Sequence, residues 1–255
     1  MKFFVVVPAR IGSTRLPRKV LRDLAGRPLL RWTWQAACRS GAQRVVVATD
    51  STEVVAACRA FGADVCMTSA AHQSGTDRAA EVARSENWDD DAIVVNLQGD
   101  EPLMPPELVQ RTAALLDADH EAQIATLAHP LHRVEDWANP NFVKVVRNVK
   151  GQALYFSRAR IPWRRDGVST TPPLPGHGLA VRHMGLYAYR VGALKRFAAL
   201  PPSRLEQCEA LEQLRALENG FVISVGIVDH EPPRGVDTEA DLALVAAQLR
   251  QAGSS

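Results

Sequence analysis

Phe3-Phe-Val-Val-Val-Pro-Ala-Arg-Ile-Gly-Ser-Thr-Arg-Leu-Pro-Arg-Lys-Val-Leu21 is the stretch from which the rest of the chain is read. An apolar run of strand length, 3–7, ends at Pro8. A loop follows that holds Arg10, Gly12, Ser13, Thr14, Arg15, Arg18 and Lys19. A buried strand followed by small and cationic residues suits a loop that wraps a phosphate chain at the carboxyl end of a parallel strand. The spacing is not that of a Walker P-loop, and no Gly-x-Gly-x-x-Gly follows the strand, which disfavours a P-loop NTPase and a dinucleotide fold. The physics of phosphate binding remains: backbone N–H groups near Gly12 and Ser13, and the charges of Arg10, Arg15 and Lys19. The alternative is a solvated basic loop with no ligand.

The rest of the composition is that of an ordinary globular protein. The chain has 255 residues, 46% hydrophobic and 23% charged, and its length suits one large α/β domain. A formal net charge of +2 is too small to build a nucleic-acid surface by itself. Cys38, Cys58, Cys66 and Cys208 form no Cys-x-x-Cys pair, which argues against a zinc site or a disulfide framework. No run reaches the roughly 20 apolar residues that span a bilayer. The apolar run 3–7 is too short for a signal sequence. These features predict a cytoplasmic protein without membrane or nucleic-acid partners.

Working outward from the first strand, β-branched runs at 45–48, 64–67 and 93–97 alternate with helical periodicity at 29–38, 52–61, 76–84 and 107–116. That alternation predicts an α/β fold with a doubly wound, mostly parallel sheet, in a single domain over 1–255. The segment 139–189 fits less well. It has β-like pieces at 142–146, 153–156 and 184–189, and a Pro/Gly-rich loop, Ser169-Thr-Thr-Pro-Pro-Leu-Pro-Gly-His-Gly178. It reads as a β-rich excursion from the core. One helix is expected over 206–217, a strand over 221–228, and a last helix opened by the capping box Thr238-Glu-Ala-Asp241.

Four further stretches carry chemistry. In Ile93-Val-Val-Asn-Leu-Gln-Gly-Asp-Glu-Pro102, Gln98 and Asp100 project from the carboxyl end of a buried strand, where ligands sit in open α/β sheets, and Gly99 permits close backbone approach. Asp100 beside a triphosphate would hold Mg²⁺; otherwise it caps the next helix. In Gly235-Val-Asp-Thr238, Thr238 is the natural cap, which leaves Asp237 free as a second metal ligand. In His72-Gln-Ser-Gly-Thr-Asp-Arg78, Arg78 sits near the positive end of a helix, which an anionic ligand would offset. In Arg182-His-Met-Gly-Leu-Tyr-Ala-Tyr-Arg190, His183, Tyr187 and Tyr189 share a strand face and are polar enough to line a sugar pocket.

Pro8-Ala-Arg-Ile-Gly-Ser-Thr-Arg-Leu-Pro17, Ser74-Gly-Thr-Asp-Arg78, Asn96-Leu-Gln-Gly-Asp-Glu-Pro102, His183-Met-Gly-Leu-Tyr187 and Gly235-Val-Asp-Thr238 occur in that order. Together they closely resemble the 3-deoxy-D-manno-octulosonate (Kdo) cytidylyltransferases, and the resemblance covers nearly the whole chain. It implies a nucleotidyltransferase-type fold, a homodimer formed through the excursion, Mg²⁺ as cofactor, and CTP plus Kdo as substrates for lipopolysaccharide synthesis. It implies Pro8, Ala9, Arg10, Ser13, Arg15, Lys19, Ser74, Gly75 and Arg78 on the nucleotide. Asp100 and Asp237 would hold the metal, and Arg10 and Lys19 would act with them in catalysis. Gln98, His183, Tyr187, Glu212 and Gln213 would line the sugar pocket, and Arg160 would meet the sugar carboxylate. Arg18 departs from the family pattern, which often has Gly there; if that position needs an unusual backbone angle, the path carrying Lys19 differs. Activation of another acidic sugar (8-amino-Kdo or a sialic acid) and a non-catalytic nucleotide-sugar sensor are the alternatives.

Overall fold

A computed structural model describes residues 1–13, 15–163, 165, 181–229 and 231–252. The first half winds strands with helices. β1 (Phe3–Pro8) leads into the basic loop, a 3-10 turn at Lys19–Leu21, and the short ribbon β2 (Asp23–Leu24) and β3 (Arg27–Pro28). Then come α1 (Leu29–Arg39), β4 (Arg44–Thr49), α2 (Thr52–Ala60), β5 (Asp64–Met67), α3 (Gly75–Ser85), β6 (Ile93–Asn96) and α4 (Pro106–Ala118). The second half holds β7 (Ile124–Pro130), α5 (Val134–Ala138), β8 (Lys144–Arg147), β9 (Ala153–Ser157), β10 (Val181–Arg190), α6 (Val191–Ala198), α7 (Arg204–Glu209), α8 (Gln213–Glu218), β11 (Ile223–Ile227) and α9 (Glu239–Ala252).

The main sheet has the order β11-β7-β10-β6-β1-β4-β5. β5, β4, β1 and β6 are parallel, as are β7 and β11; β10 runs antiparallel to both β6 and β7. The expected mostly parallel α/β sheet is therefore present. Both faces of β1 are covered, and alternate residues serve the two layers. Phe3, Val5 and Val7 pack with Leu30, Ala37 and Val109 on the α1–α4 side. Val6 packs with Ala79, Ala83 and Leu214 on the α3–α8 side. A third cluster joins Leu16 of the basic loop to Val236, Leu242 and Val245, so α9 braces the base of that loop.

Three expectations need correction. The segment 139–189 is not one excursion: β8 and β9 form a ribbon that branches from the sheet, with β8 paired to the start of β10, and β10 itself lies in the sheet's middle, paired from Tyr187 to Asn96 on one side and to Thr126 on the other. Its His/Tyr character disguised a core strand. The loop 169–178 lies outside the described residues. The helix expected over 206–217 is two helices, because Ala210 takes a left-handed backbone (φ 51°) that ends α7. Leucines spaced every three residues do not hold one face of a 3.6-residue helix, and the break places Glu212 and Gln213 at the start of α8. β7 and α6 fall where the sequence suggested no element. β7 is buried almost throughout and reads Ile-Ala-Thr-Leu-Ala-His-Pro, with few β-branched residues to mark it.

Candidate active site

The chain switches direction across the sheet between β1 and β6, so the loops after these two strands meet at their carboxyl ends. Gly99 N–H donates to Pro8 O at 3.1 Å. A Cβ at Gly99 would stand 2.6 Å from that carbonyl, so only glycine allows this approach. The start of α3 closes the third side. A Cβ at Gly75 would lie 3.1 Å from the Pro8 ring and 3.2 Å from the Gln98 amide.

A cavity of about 330 Å³ opens between the three. Pro8, Arg10, Ser13, Arg15 and Lys19 line it from the first loop, Ser74, Gly75 and Arg78 from α3, and Gln98 and Asp100 from the loop after β6. His72 and Gln73, which the sequence reading left unassigned, complete the wall. Ala9 alone of the expected nucleotide residues is not on it; it is fully buried and its N–H donates to Ala48 O at 2.8 Å. Arg78 lies on the wall and is also held from behind. Its guanidinium is buried and donates to Asp50 at 2.7 Å, to Thr68 and to the Ser69 carbonyl. Asp50 offsets the charge at the helix start, and Arg78 braces the 68–74 loop from within.

Lys19 is the centre of charge. Its ammonium donates to Asp100 Oδ2 at 2.6 Å and to Asp237 Oδ1 at 2.9 Å, with only 12% of its side chain exposed. Arg15 adds a second cation on Asp237 Oδ1 at 3.0 Å. Burial pushes the Lys19 ammonium down, but the charge of Asp100 and the hydrogen bonds it donates to both carboxylates outweigh it and hold it above the usual lysine range. Asp237 reaches this point because Val236 N–H donates to Asp100 O at 2.9 Å and Val236 is buried against Leu16 and Leu242. Thr238 and Asp241 cap α9 reciprocally, at 2.9 and 3.2 Å, so Asp237 is spared that duty as its spacing suggested.

Two carboxylates from distant parts of the chain thus aim oxygens at one cation. Hard oxygen donors of this kind suit Mg²⁺, which takes one or two carboxylates and completes its shell with phosphate and water. Among the described residues no cluster of three or more His, Cys, Asp and Glu could hold a metal ion. Glu101, which the sequence reading passed over, lies against Gly235, where an added Cβ would sit 2.7 Å from its carboxyl. Burial, then repulsion from Asp100 and Asp237, pushes Glu101 up to about 8, with Lys19 partly offsetting.

The expected sugar residues split between a cavity wall and a buried cluster behind it. Gln98 and His183 line a neighbouring cavity of about 510 Å³ that also reaches Asp100, Asp237 and Arg182, whereas Tyr187, Glu212 and Gln213 line neither cavity. The His183 and Tyr187 rings are 5.2 Å apart, and His183 Nε2 lies 3.1 Å from Thr126 Oγ1. Asn96 donates to Thr76 Oγ1, which donates to Glu212 Oε2 at 2.8 Å. Tyr187 Oη, Glu212 Oε1, Gln213 Nε2 and Asn96 Oδ1 are buried without a hydrogen-bond partner among the described residues. Four such atoms in one neighbourhood are costly unless a polar ligand satisfies them. Burial pushes His183 down to about 3 and raises the Tyr187 hydroxyl and the Glu212 carboxyl, so His183 and Tyr187 are neutral hydrogen-bonding groups at neutral pH. Arg160 does not join them within one chain: it is exposed, lies over the Trp137 ring at 5.8 Å and lines neither cavity.

The chain matches a family described as Cytidylyltransferase over residues 4–227. It is 50% identical over 251 residues to a 3-deoxy-manno-octulosonate cytidylyltransferase of Cellvibrio japonicus (strain Ueda107), covering 98% of each chain. It is 52% identical to the protein of that name from Halorhodospira halophila (strain DSM 244 / SL1), covering 97% of each. The solved structure of a CMP:2-keto-3-deoxy-manno-octonic acid synthetase complexed with CTP superposes with a TM-score of 0.89 at 40% identity, over 99% of this chain and 100% of that one. A cytidylyltransferase of Leptospira borgpetersenii shares the fold at 16% identity, with a TM-score of 0.58.

Proposed function

The chain belongs to the cytidylyltransferase family whose members activate 3-deoxy-manno-octulosonate, and from that premise we propose that it joins CTP to Kdo, giving CMP-Kdo and diphosphate, with Mg²⁺ held by Asp100 and Asp237. The observation that carries the metal and site assignments is the convergence of these two carboxylates on one cation beside the basic loop. The orphaned polar atoms around Tyr187 and Glu212 support a hydroxyl-rich second substrate, which a sugar is.

The chemistry is an in-line displacement: the anomeric 2-hydroxyl of Kdo attacks the α-phosphorus and diphosphate leaves. Arg10, Arg15 and Lys19 neutralise the triphosphate and the charge that builds on the leaving group. Ser13 and the backbone N–H groups at the start of α3 orient phosphate oxygens. Gln98, His183, Tyr187, Glu212 and Gln213 fix the sugar by its hydroxyls, so that two reactants meet in one geometry. Mg²⁺, when bound to Asp100 and Asp237, supplies charge neutralisation at the α-phosphate and acidifies the attacking hydroxyl.

We assign the homodimer to the β8–β9 ribbon. Within the described residues β9 pairs only with β8, and Val149, Leu154 and Trp163 stand 106%, 60% and 66% exposed nearby. Light scattering at micromolar concentration tests it; a monomer refutes it. A second chain is also the natural place for Arg160 to act. Four free cysteines, and the absence among the described residues of a helix long and apolar enough to cross a membrane, support a cytosolic site for the reaction.

Diphosphate release with CTP, Mg²⁺ and a panel of Kdo, 8-amino-Kdo and a sialic acid tests the whole reading. Turnover is expected with Kdo. Preference for another acid replaces the substrate assignment, and nucleotide binding without turnover on any of them makes the chain a sensor.

A further inference from the structure

Lys19 and Arg15 are assigned to the triphosphate, yet both are held by the carboxylates assigned to the metal. Lys19 bridges Asp100 and Asp237 at 2.6 and 2.9 Å, and Arg15 reaches Asp237 at 3.0 Å. Two cations and two anions close a neutral, self-satisfied cluster. Magnesium binds carboxylate oxygens at about 2.0–2.1 Å. Lys19 takes one oxygen of each carboxylate, so an ion on the same pair would stand within a few ångströms of the ammonium, in a site where Lys19 is almost out of solvent. Repulsion between the two cations sets them in competition for the carboxylates.

We propose that the cluster is a partner exchange that couples metal binding to nucleotide binding: Lys19, assisted by Arg15, stands in for the divalent ion until a triphosphate draws it away. The inference rests on the metal reading above and adds an order to it. A divalent ion alone meets a site already neutralised by the chain. A nucleoside triphosphate alone removes the cations and leaves Asp100 and Asp237 uncompensated beside phosphate oxygens. Arriving together, the triphosphate takes Lys19 and Arg15, and the metal takes the two carboxylates. By linkage each must then raise the other's affinity by the same factor. Ser13 and Arg10, which make no ion pair with either carboxylate among the described residues, give the phosphates a first foothold on the same wall.

The test uses Mn²⁺ as probe and the full-length protein, with bound metal read by electron paramagnetic resonance and folding checked by circular dichroism. In the absence of nucleotide, Lys19→Met is expected to bind Mn²⁺ about tenfold more tightly than the wild type, a factor within the usual span of site-to-site coupling. Arg15→Gln is expected to shift in the same direction by a smaller factor, and it reads the same coupling if Lys19→Met does not fold. Unchanged or weakened nucleotide-free Mn²⁺ affinity in a folded variant overturns the exchange. Absence of a protein–CTP–Mn²⁺ signal in the wild type overturns the metal reading itself, and the exchange with it. A ternary signal with unaltered nucleotide-free affinities in the variants overturns the exchange alone.

Discussion

Thr76 donates its hydroxyl to Glu212 Oε2 at 2.8 Å, so the second residue of α3 and the residue that opens α8 are tied directly together. Thr76 sits one residue from Gly75, on the wall of the cavity assigned to the nucleotide. The other oxygen, Glu212 Oε1, makes no hydrogen bond among the described residues and lies 4.0 Å from Arg215 Nη2. One side-chain hydrogen bond therefore ties the helix start behind the basic cavity to a residue assigned to the sugar, and in a displacement reaction the spacing of the two reactants decides whether the hydroxyl reaches phosphorus.

Removing either metal carboxylate tests the centre. Asp100→Asn and Asp237→Asn are each expected to lower kcat by about a hundredfold or more, equivalent to about 3 kcal/mol of transition-state stabilisation. CTP binding, measured by calorimetry, should persist because the basic loop is intact. Near-normal turnover in either variant removes that residue from the metal site.

The orphaned polar group predicts a different signature. Glu212→Gln and Tyr187→Phe should each lower kcat/KM for the acidic sugar by about tenfold, the value of one lost hydrogen bond of about 1–2 kcal/mol. The dissociation constant for CTP should stay within about twofold by the same logic, since neither side chain lines the basic cavity. An equal loss in CTP affinity would show that the two groups belong to one site.

Arg18 offers a stability prediction. Its backbone is left-handed, φ 56° and ψ 30°, immediately before Lys19. An L-residue in that region costs about 1–2 kcal/mol, and glycine avoids the cost but loses about 0.5–1 kcal/mol of chain entropy. The Arg18–Glu53 ion pair is exposed on both sides and contributes little. Arg18→Gly should therefore stabilise the protein by about 0.5–1 kcal/mol, a rise in Tm of about 2 °C in a chain of this size. A fall in Tm means the ion pair outweighs the backbone relief. The angle is one that glycine adopts freely, so with arginine the path to Lys19 is kept at a local cost.

His183 sets an acid limit. Burial lowers its pKa from an ordinary 6.5 to about 3, so between those values the unfolded chain binds the extra proton and the folded one does not. Its contribution is present in full above pH about 6.5 and is lost as pH falls toward 3, with a slope of at most about 1.4 kcal/mol per pH unit. Urea titrations of wild type and His183→Gln from pH 7 to 4 check the sign: the variant, which cannot titrate, should lose less stability over that range. A steeper loss in the variant contradicts it.

Much of the site was legible locally. A strand that ends in small and cationic residues, a glycine beside a carboxylate at the end of another strand, and a Thr–Asp capping pair that spares its neighbour are patterns within a few residues of chain, and Gly99 and Thr238 behave as those patterns require. Arg78 reaches the cavity wall as its motif suggested, but its partner Asp50 lies in a different loop, which spacing along the chain does not show. Glu212 was named only by resemblance, since the left-handed Ala210 that delivers it looks like any helical alanine. Arg160 has the right charge for the sugar acid but stands outside both cavities of its own chain.

By itself, the order of residues determined which groups stand at the ends of which strands, because strand, turn and cap preferences act over short spans and leave a periodic signature. Only the tertiary structure decided that β10 enters the middle of the sheet, that Asp100 and Asp237 converge, and that Lys19 holds them both. Those pairings follow from strand order and from which hydrophobic faces must be buried together, and side-chain charges far apart along the chain learn of each other only once that packing is complete.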